Sequence, residues 1–216
     1  QASIVDLELQ YNSAGDVIVT HNASTIVGTA DSMTVKTTDA ANTIVNLAGI
    51  ETLNIENSGV SSIATLTTTS AATLNVSGSG TLTLSDIDDA SLTVNMANFS
   101  GTSTVDGMVA TGNVAFTGGS GADTINFDGL TSNDSIAAGD GADTLVLTAA
   151  TNAFLTSTVA GDVTVTGVET LSLVGNAAGD AIDFDGFSAP NSFSKVLVTS
   201  TLDAGNITLT DIQTTN

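Results

Sequence analysis

The sequence predicts an all-β chain folded as a right-handed parallel β-helix, or β-solenoid. Three observations predict it. Thr alone supplies 36 of the 216 residues and Gly another 21, whereas Glu, Lys, Arg and Gln are scarce. Branching at Cβ restricts χ1 in a helix and suits a pleated strand, so this composition selects strands joined by Gly, Asn, Asp and Ser turns. Apolar residues then recur as alternating pairs, many of them 8 to 11 residues from the next, each reading as a short strand with one buried face. Finally, Gly49-Ile50-Glu51-Thr52-Leu53-Asn54-Ile55 returns as Gly167-Val168-Glu169-Thr170-Leu171-Ser172-Leu173, the self-similarity of a repeating architecture.

Along the chain, residues 1–44 are the least regular and read either as a separate small β unit or as irregular first coils. Over 45–216 the pairs follow in order: Leu53/Ile55, Leu74/Val76, Leu82/Leu84, Leu92/Val94, Val114/Phe116, Ile125/Phe127, Leu145/Leu147, Val163/Val165, Leu171/Leu173, Ile182/Phe184, Val196/Val198 and Ile207/Leu209. Two such steps make a coil of about 20 residues, and because one coil cannot bury its own apolar face, coils stack. A β-sandwich also spaces its strands about 8 to 12 residues apart; the brevity of these strands and the returning segment favour the solenoid. Pro190 is the single proline and marks almost no boundary.

Charge narrows the function classes. Two Lys face 23 acidic residues, 19 of them Asp, for a net charge of -21. A basic patch for nucleic acid or anionic lipid cannot be assembled from Lys36 and Lys195, and the natural small partner is a cation. Disorder is not implied, since only 12% of residues are charged and 41% are hydrophobic. No apolar run approaches the ~18 residues of a membrane helix, and no export signal is visible at Gln1. The start at Gln1 and the end at Thr214-Thr215-Asn216 read as cuts in a longer chain. With no Cys there is no disulfide framework, zinc ribbon or thiol nucleophile.

The strongest chemical signal is Gly118-Gly119-Ser120-Gly121-Ala122-Asp123-Thr124-Ile125-Asn126, a full match to the nonapeptide G-G-x-G-x-D-x-U-x. A second copy, Ala138-Gly139-Asp140-Gly141-Ala142-Asp143-Thr144-Leu145-Val146, follows 20 residues later, and Asn133-Asp134-Ser135-Ile136 keeps only the Asp-x-aliphatic end. Glycines let the turn close and aim its carbonyls inward, the Asp adds a carboxylate, and the aliphatic residue anchors the strand. Two such turns one coil apart offer hard oxygens, which suit Ca²⁺ better than the tight octahedron of Mg²⁺. A transition metal would want His or Cys. The expected calcium set is Gly118, Gly119, Gly121, Asp123, Asn133, Asp134, Gly139, Asp140, Gly141 and Asp143, with the carboxylate of Asp123 facing the coil that begins near Gly139. Asp180 and Asp183 are added from the acidic run Gly179–Gly186. Asp86, Asp88 and Asp89 form another acidic cluster, with a solvated turn as the alternative in both places.

These nonapeptides resemble the RTX calcium-binding repeat, a parallel β-roll. The wider texture, in Ile50-Glu51-Thr52-Leu53-Asn54-Ile55, Val168-Glu169-Thr170-Leu171-Ser172-Leu173, Ala72-Thr73-Leu74-Asn75-Val76-Ser77-Gly78 and Phe116-Thr117-Gly118-Gly119-Ser120-Gly121-Ala122-Asp123, resembles bacterial surface-layer (S-layer) proteins of the Caulobacter type. The resemblance implies a secreted structural protein, exported by type I secretion, that binds calcium and self-assembles with other copies of itself into an extracellular lattice on the bacterial cell surface. It also implies attachment to a cell-surface glycan through other parts of the protein. The chain departs from the pattern in having one well-formed pair of repeats rather than an array, in a spacing two residues longer than two nonapeptides, and in lacking a recognisable secretion signal after Ile212.

An enzyme is not expected. His21 is the only histidine and reads as a surface or loop residue, no Gly-x-Ser-x-Gly elbow exists, and no Arg is present to serve a polysaccharide lyase. Glycosidic carboxylate pairs are decided by separation in space, but 4% aromatics and no Trp argue against a sugar-stacking cleft. Glu51 and Glu169 are expected to bond backbone N–H groups at turn edges. The alternatives to a lattice protein are a calcium-stiffened RTX-type adhesin and a ligand-binding or ice-binding solenoid with Thr ladders. The Thr-x-Thr steps at Thr65, Thr81, Thr164 and Thr208 are not one coil apart.

Overall fold

The structure is a computed structural model of the 216-residue chain. It describes residues 6–10, 15–20, 30–46, 49–67, 73–88, 92–108, 113–127, 130, 134–148, 163–174, 181–187, 192–199 and 208–212. Among these, successive strands alternate between two parallel sheets, which is the winding of a β-solenoid. The first sheet is eight-stranded and runs in order through β1 (Asp6–Gln10), β3 (Ser32–Thr38), β5 (Thr52–Ser58), β7 (Thr73–Gly78), β10 (Leu92–Phe99), β12 (Val114–Thr117), β14 (Ser135–Ala137) and β16 (Thr164–Thr166). The second runs through β2 (Val17–Ile18), β4 (Ala41–Asn46), β6 (Val60–Thr67), β8 (Thr81–Leu84), β11 (Thr102–Met108), β13 (Asp123–Phe127), β15 (Thr144–Thr148), β17 (Thr170–Val174) and β19 (Lys195–Val198), with β9 (Ile87–Asp88) also on β6. A separate parallel pair joins β18 (Ala181–Asp183) to β20 (Thr208–Thr210). The segment before residue 45 takes part in this winding: β1 pairs β3, and β2 pairs β4.

Register explains the core. Met33, Leu53, Leu74, Val94, Phe116, Ile136 and Val165 stand in one column of the first sheet. Ile63, Leu84, Val105, Ile125, Leu145 and Leu171 stand in one column of the second, and both columns are buried. Every coil thus buries its apolar face against the coils above and below. All the pairs read from Leu53/Ile55 through Leu171/Leu173 lie in this core. Val196/Val198 departs from the reading: Val196 is partly buried, and Val198 is 38% exposed. The second sheet carries β19 one level beyond β17, whereas among the described residues the first sheet continues past β16 only as a single parallel bridge from Val163 to Phe187. Phe184, Phe187 and Phe193 pack ring against ring at that end, with centroids 6.0 and 5.1 Å apart, and supply apolar cover there.

Glycines set the corners. Gly59, Gly80, Gly101, Gly121 and Gly141 stand one above another, and a Cβ on each of the last four would fall on the carbonyl oxygen of the glycine one coil before it. On the outer face, Thr83, Thr104, Thr124, Thr144 and Thr170 pair in successive coils. Of the Thr-x-Thr steps in the sequence, Thr81/Thr83 enters this ladder, paired with Thr102/Thr104 in the next coil; the later coils continue it with one Thr each.

Candidate metal centre

The strand-start position of the second sheet carries acidic side chains in three consecutive coils. Asp123 opens β13, Asp143 precedes β15 and Glu169 precedes β17, and register stacks them above Ser103. Their carboxylates are bonded into the backbone. Asp123 Oδ1 accepts from Ser103 Oγ at 2.7 Å, and its Oδ2 accepts from the Gly119 N–H at 3.0 Å. Asp143 Oδ1 accepts from the Asp123 N–H at 2.7 Å, and Glu169 Oε2 accepts from the Asp143 N–H at 2.8 Å. Each carboxylate therefore takes up a strand-start N–H of the preceding coil or the N–H of its own turn, groups that would otherwise be orphaned where strands begin.

This geometry corrects one expectation: the Asp123 carboxylate faces the preceding coil and its own turn, not the coil that begins near Gly139. The reason is the inward alternation of β13, in which Asp123 shares the buried face with Ile125 and Phe127. Burial raises the Asp123 carboxyl above the ordinary carboxylate range, partly opposed by the Ser103 hydroxyl. Burial also pushes Asp143 up to about 6, with the charges of Asp123, Glu169 and Asp140 acting in the same sense. Asp143 Oδ2 is buried and has no hydrogen-bond partner among the described residues.

The other expected residues are placed as follows. Gly118, Gly119, Gly121, Gly139 and Gly141 form the corner that carries these turns, where a Cβ would meet backbone of an adjacent coil. Asp140 is exposed on that corner. Asp134 lies on the first sheet instead, buried, with Oδ1 accepting from the Val114 N–H at 2.7 Å. Asn133 and Asp180, as well as Asp89 and His21, fall outside the described residues. Asp86 adopts a left-handed corner conformation with φ of 48°. Glu51 Oε2 accepts from the Asp31 N–H at 2.8 Å, so Glu51 and Glu169 both bond backbone, as their position at turn edges suggested.

Among the described residues, one group brings three carboxylates together. Asp183, Asp185 and Asp211 each place an oxygen within 4.8 Å of the others, and the group could hold a metal ion. Asp183 ends β18 and caps the short 3-10 turn Phe184–Gly186, accepting from the Asp185 N–H at 3.0 Å. Asp211 follows β20, whose Thr210 pairs with Asp183. The Asp185 charge, followed by slight burial and the Asp183 charge, raises the Asp211 carboxyl, which is the like-charge repulsion that a cation relieves. Asp183 was legible in the acidic run; Asp211 was not singled out. The signal available was the strand pair Ile207/Leu209, because laying that strand beside Ile182 puts Asp211 next to the run.

No known protein family, curated protein or solved structure matches the chain.

Proposed function

We propose that the chain is a calcium-binding structural segment of an extracellular, self-assembling surface layer, without enzymatic activity. The observation that carries this reading is the Asp183–Asp185–Asp211 group, an oxygen-only set of three carboxylates in a chain of net charge -21. An oxygen-only donor set on a surface turn suits Ca²⁺, which takes six to eight oxygens in flexible geometry, the remainder coming from water and backbone. Calcium would tie β18 to β20 and stabilise the fold by mass action, since the unfolded chain offers no assembled group. It would also offset part of the self-repulsion that keeps such acidic chains apart.

Titration of Ca²⁺ into the chelated chain, followed by calorimetry and light scattering, tests the proposal. Binding together with growth of sheets is the expected result; absence of binding at millimolar Ca²⁺ overturns it. A second reading, a calcium-stiffened adhesin, is favoured by a polar groove of about 360 Å³ on the outside of the first sheet. Asn54, Asn75, Asn95 and Asn98 line it beside Glu56, with Asn75 donating to Asn54 at 3.0 Å. Calcium binding by a chain that stays monomeric and retains a glycan would select this second reading.

A further inference from the structure

The returning segment Gly-aliphatic-Glu-Thr-Leu-x-aliphatic has a structural counterpart one coil earlier in both places. Glu51 stands over Asp31, and Glu169 stands over Asp143, because Thr52 pairs with Ser32 and Thr170 pairs with Thr144. In both, the Glu carboxylate accepts the Asp N–H at 2.8 Å. In both, the Asp carbonyl accepts from the strand-start Thr of the Glu coil at 3.0 Å. The local sequences match as well, Ala30-Asp31-Ser32-Met33 against Ala142-Asp143-Thr144-Leu145. One more feature recurs: among the described residues, Oδ2 of Asp31 and Oδ2 of Asp143 are each buried without a hydrogen-bond partner; Asp143 as a whole has 0% exposure, whereas Asp31 is part-buried.

Asp123 provides the internal contrast. Its coil junction is closed by Asp143 rather than by a Glu, and both of its oxygens have donors. The sealed, donorless oxygen is thus found where a longer Glu stands above an Asp. A carboxylate oxygen shut away from water without a donor is costly, and a second carboxylate beside it adds repulsion. Around Asp143 the neighbouring charges are Asp123, Glu169 and Asp140, all negative. Among the described residues Lys36 meets Asp6 at 3.8 Å, and Lys195, whose backbone N–H donates to the Glu169 carbonyl at 3.0 Å, is exposed at the register position of Thr170 on the outer face. The missing partner is therefore positive and comes from solution. Glu51 and Glu169 are only half-buried, which leaves an approach from outside past the Glu.

The geometry points to two divalent-cation sites with the same hydrogen-bond frame, the fully buried Asp143–Glu169 and the part-buried Asp31–Glu51, each clamping two successive coils, with Ca²⁺ as the ion their oxygen-only donors favour. The inference shares with the proposed function only the premise that the chain binds calcium; it depends neither on a lattice nor on the Asp183–Asp185–Asp211 group.

Calorimetric titration of the full chain with CaCl₂ tests it, using Glu51→Gln, Glu169→Gln, the double variant, and the triple variant Asp183→Asn/Asp185→Asn/Asp211→Asn. Gln keeps an acceptor for the Asp N–H, so the coil junction survives. Each single Gln variant is expected to lose one calcium equivalent and the double variant two, whereas the triple variant retains both. Unchanged stoichiometry in the Gln variants overturns the inference, as does a triple variant that binds no calcium, which would leave the carboxylate triad as the sole site. If the Gln variants fail to fold, nitrogen–proton NMR of the unaltered chain decides. The Asp31 and Asp143 amides, bonded to the Glu carboxylates, should move as calcium is added. Their standing still while calcium saturates elsewhere, or their responding to acid alone, overturns it.

Discussion

At the scale of single residues, the acidic side chains divide by burial rather than by motif. Asp123, Asp134 and Asp143 are each at most 1% exposed, and each ties its coil to the one before, Asp134 and Asp143 by accepting a backbone N–H and Asp123 by accepting the Ser103 hydroxyl. Ser103 is the donor that makes Asp123 tolerable at a core position, at 2.7 Å. Ser103→Ala should destabilise the chain by about 1–3 kcal/mol, because the hydroxyl is lost and the carboxylate stays behind; urea unfolding at neutral pH measures it. Asp143 yields a pH prediction for the calcium-free chain. An Asp in an unfolded chain titrates near ~4, and Asp143 in the folded chain titrates at about 6. The folded state is the stronger proton binder, so this contribution to stability is fully present below pH ~4 and is lost as pH rises through about 6. Its full size is roughly 3 kcal/mol. Asp143→Asn keeps an acceptor for the Asp123 N–H and cannot titrate. In chelator, its unfolding free energy should change less between pH 4 and pH 7 than that of the parent, by roughly that amount; identical pH profiles would refute the assignment.

At the scale of elements, period and face were legible, and corner contacts were not. The alternating pairs reported which residues face inward because a strand's side chains alternate strictly, and Leu53, Ile55, Ile125 and Leu145 all have 0% exposure. The glycine-rich nonapeptide was equally plain, but its Gly-Asp spacing alone left two meanings for the carboxylate: one turned outward to an ion and one turned inward to the backbone. Choosing between them required Ser103, 20 residues earlier, and nothing in the local string names that residue. Asp211 escaped for the same reason, since only the pairing of β18 with β20 brings it to Asp183. The glycine ladder is likewise a property of stacking. At Gly101 the backbone does not have the positive φ found at Gly80 and Gly141, so the need for glycine is steric: a Cβ would fall on the Gly80 carbonyl. Gly101→Ala should cost about 1–3 kcal/mol or more through forced backbone displacement, whereas Gly15, with none of the described residues within 4 Å of its missing Cβ, should accept Ala with a change within about 0.5 kcal/mol. Thermal unfolding of the two variants compares them directly.

At the scale of the whole molecule, a solenoid is nearly one-dimensional: each coil touches its neighbours only, so a local clamp protects the coils it joins and fades with distance along the stack. Two electrostatic effects then have different spatial signatures. Self-repulsion from the net charge of -21 is spread along the column, and monovalent salt screens it everywhere once the Debye length falls to ~10 Å near 0.1 M. A bound divalent ion acts at its ligands. The proposed sites predict that calcium slows amide hydrogen exchange most in β18 and β20 around the three clustered carboxylates, and at the strand starts of β3, β5, β15 and β17. The middle of the column from β6 to β11, which lacks such junctions among its described residues, should gain no more than it gains from salt. The experiment compares exchange in chelator, in chelator with 0.1 M NaCl, and in millimolar CaCl₂ at matched ionic strength. A calcium pattern that coincides with the salt pattern would mean that the ion only screens. Protection concentrated at those junctions would mean that calcium joins coil to coil, in addition to the apolar stacking, parallel backbone ladders and carboxylate–backbone bonds that already hold the column.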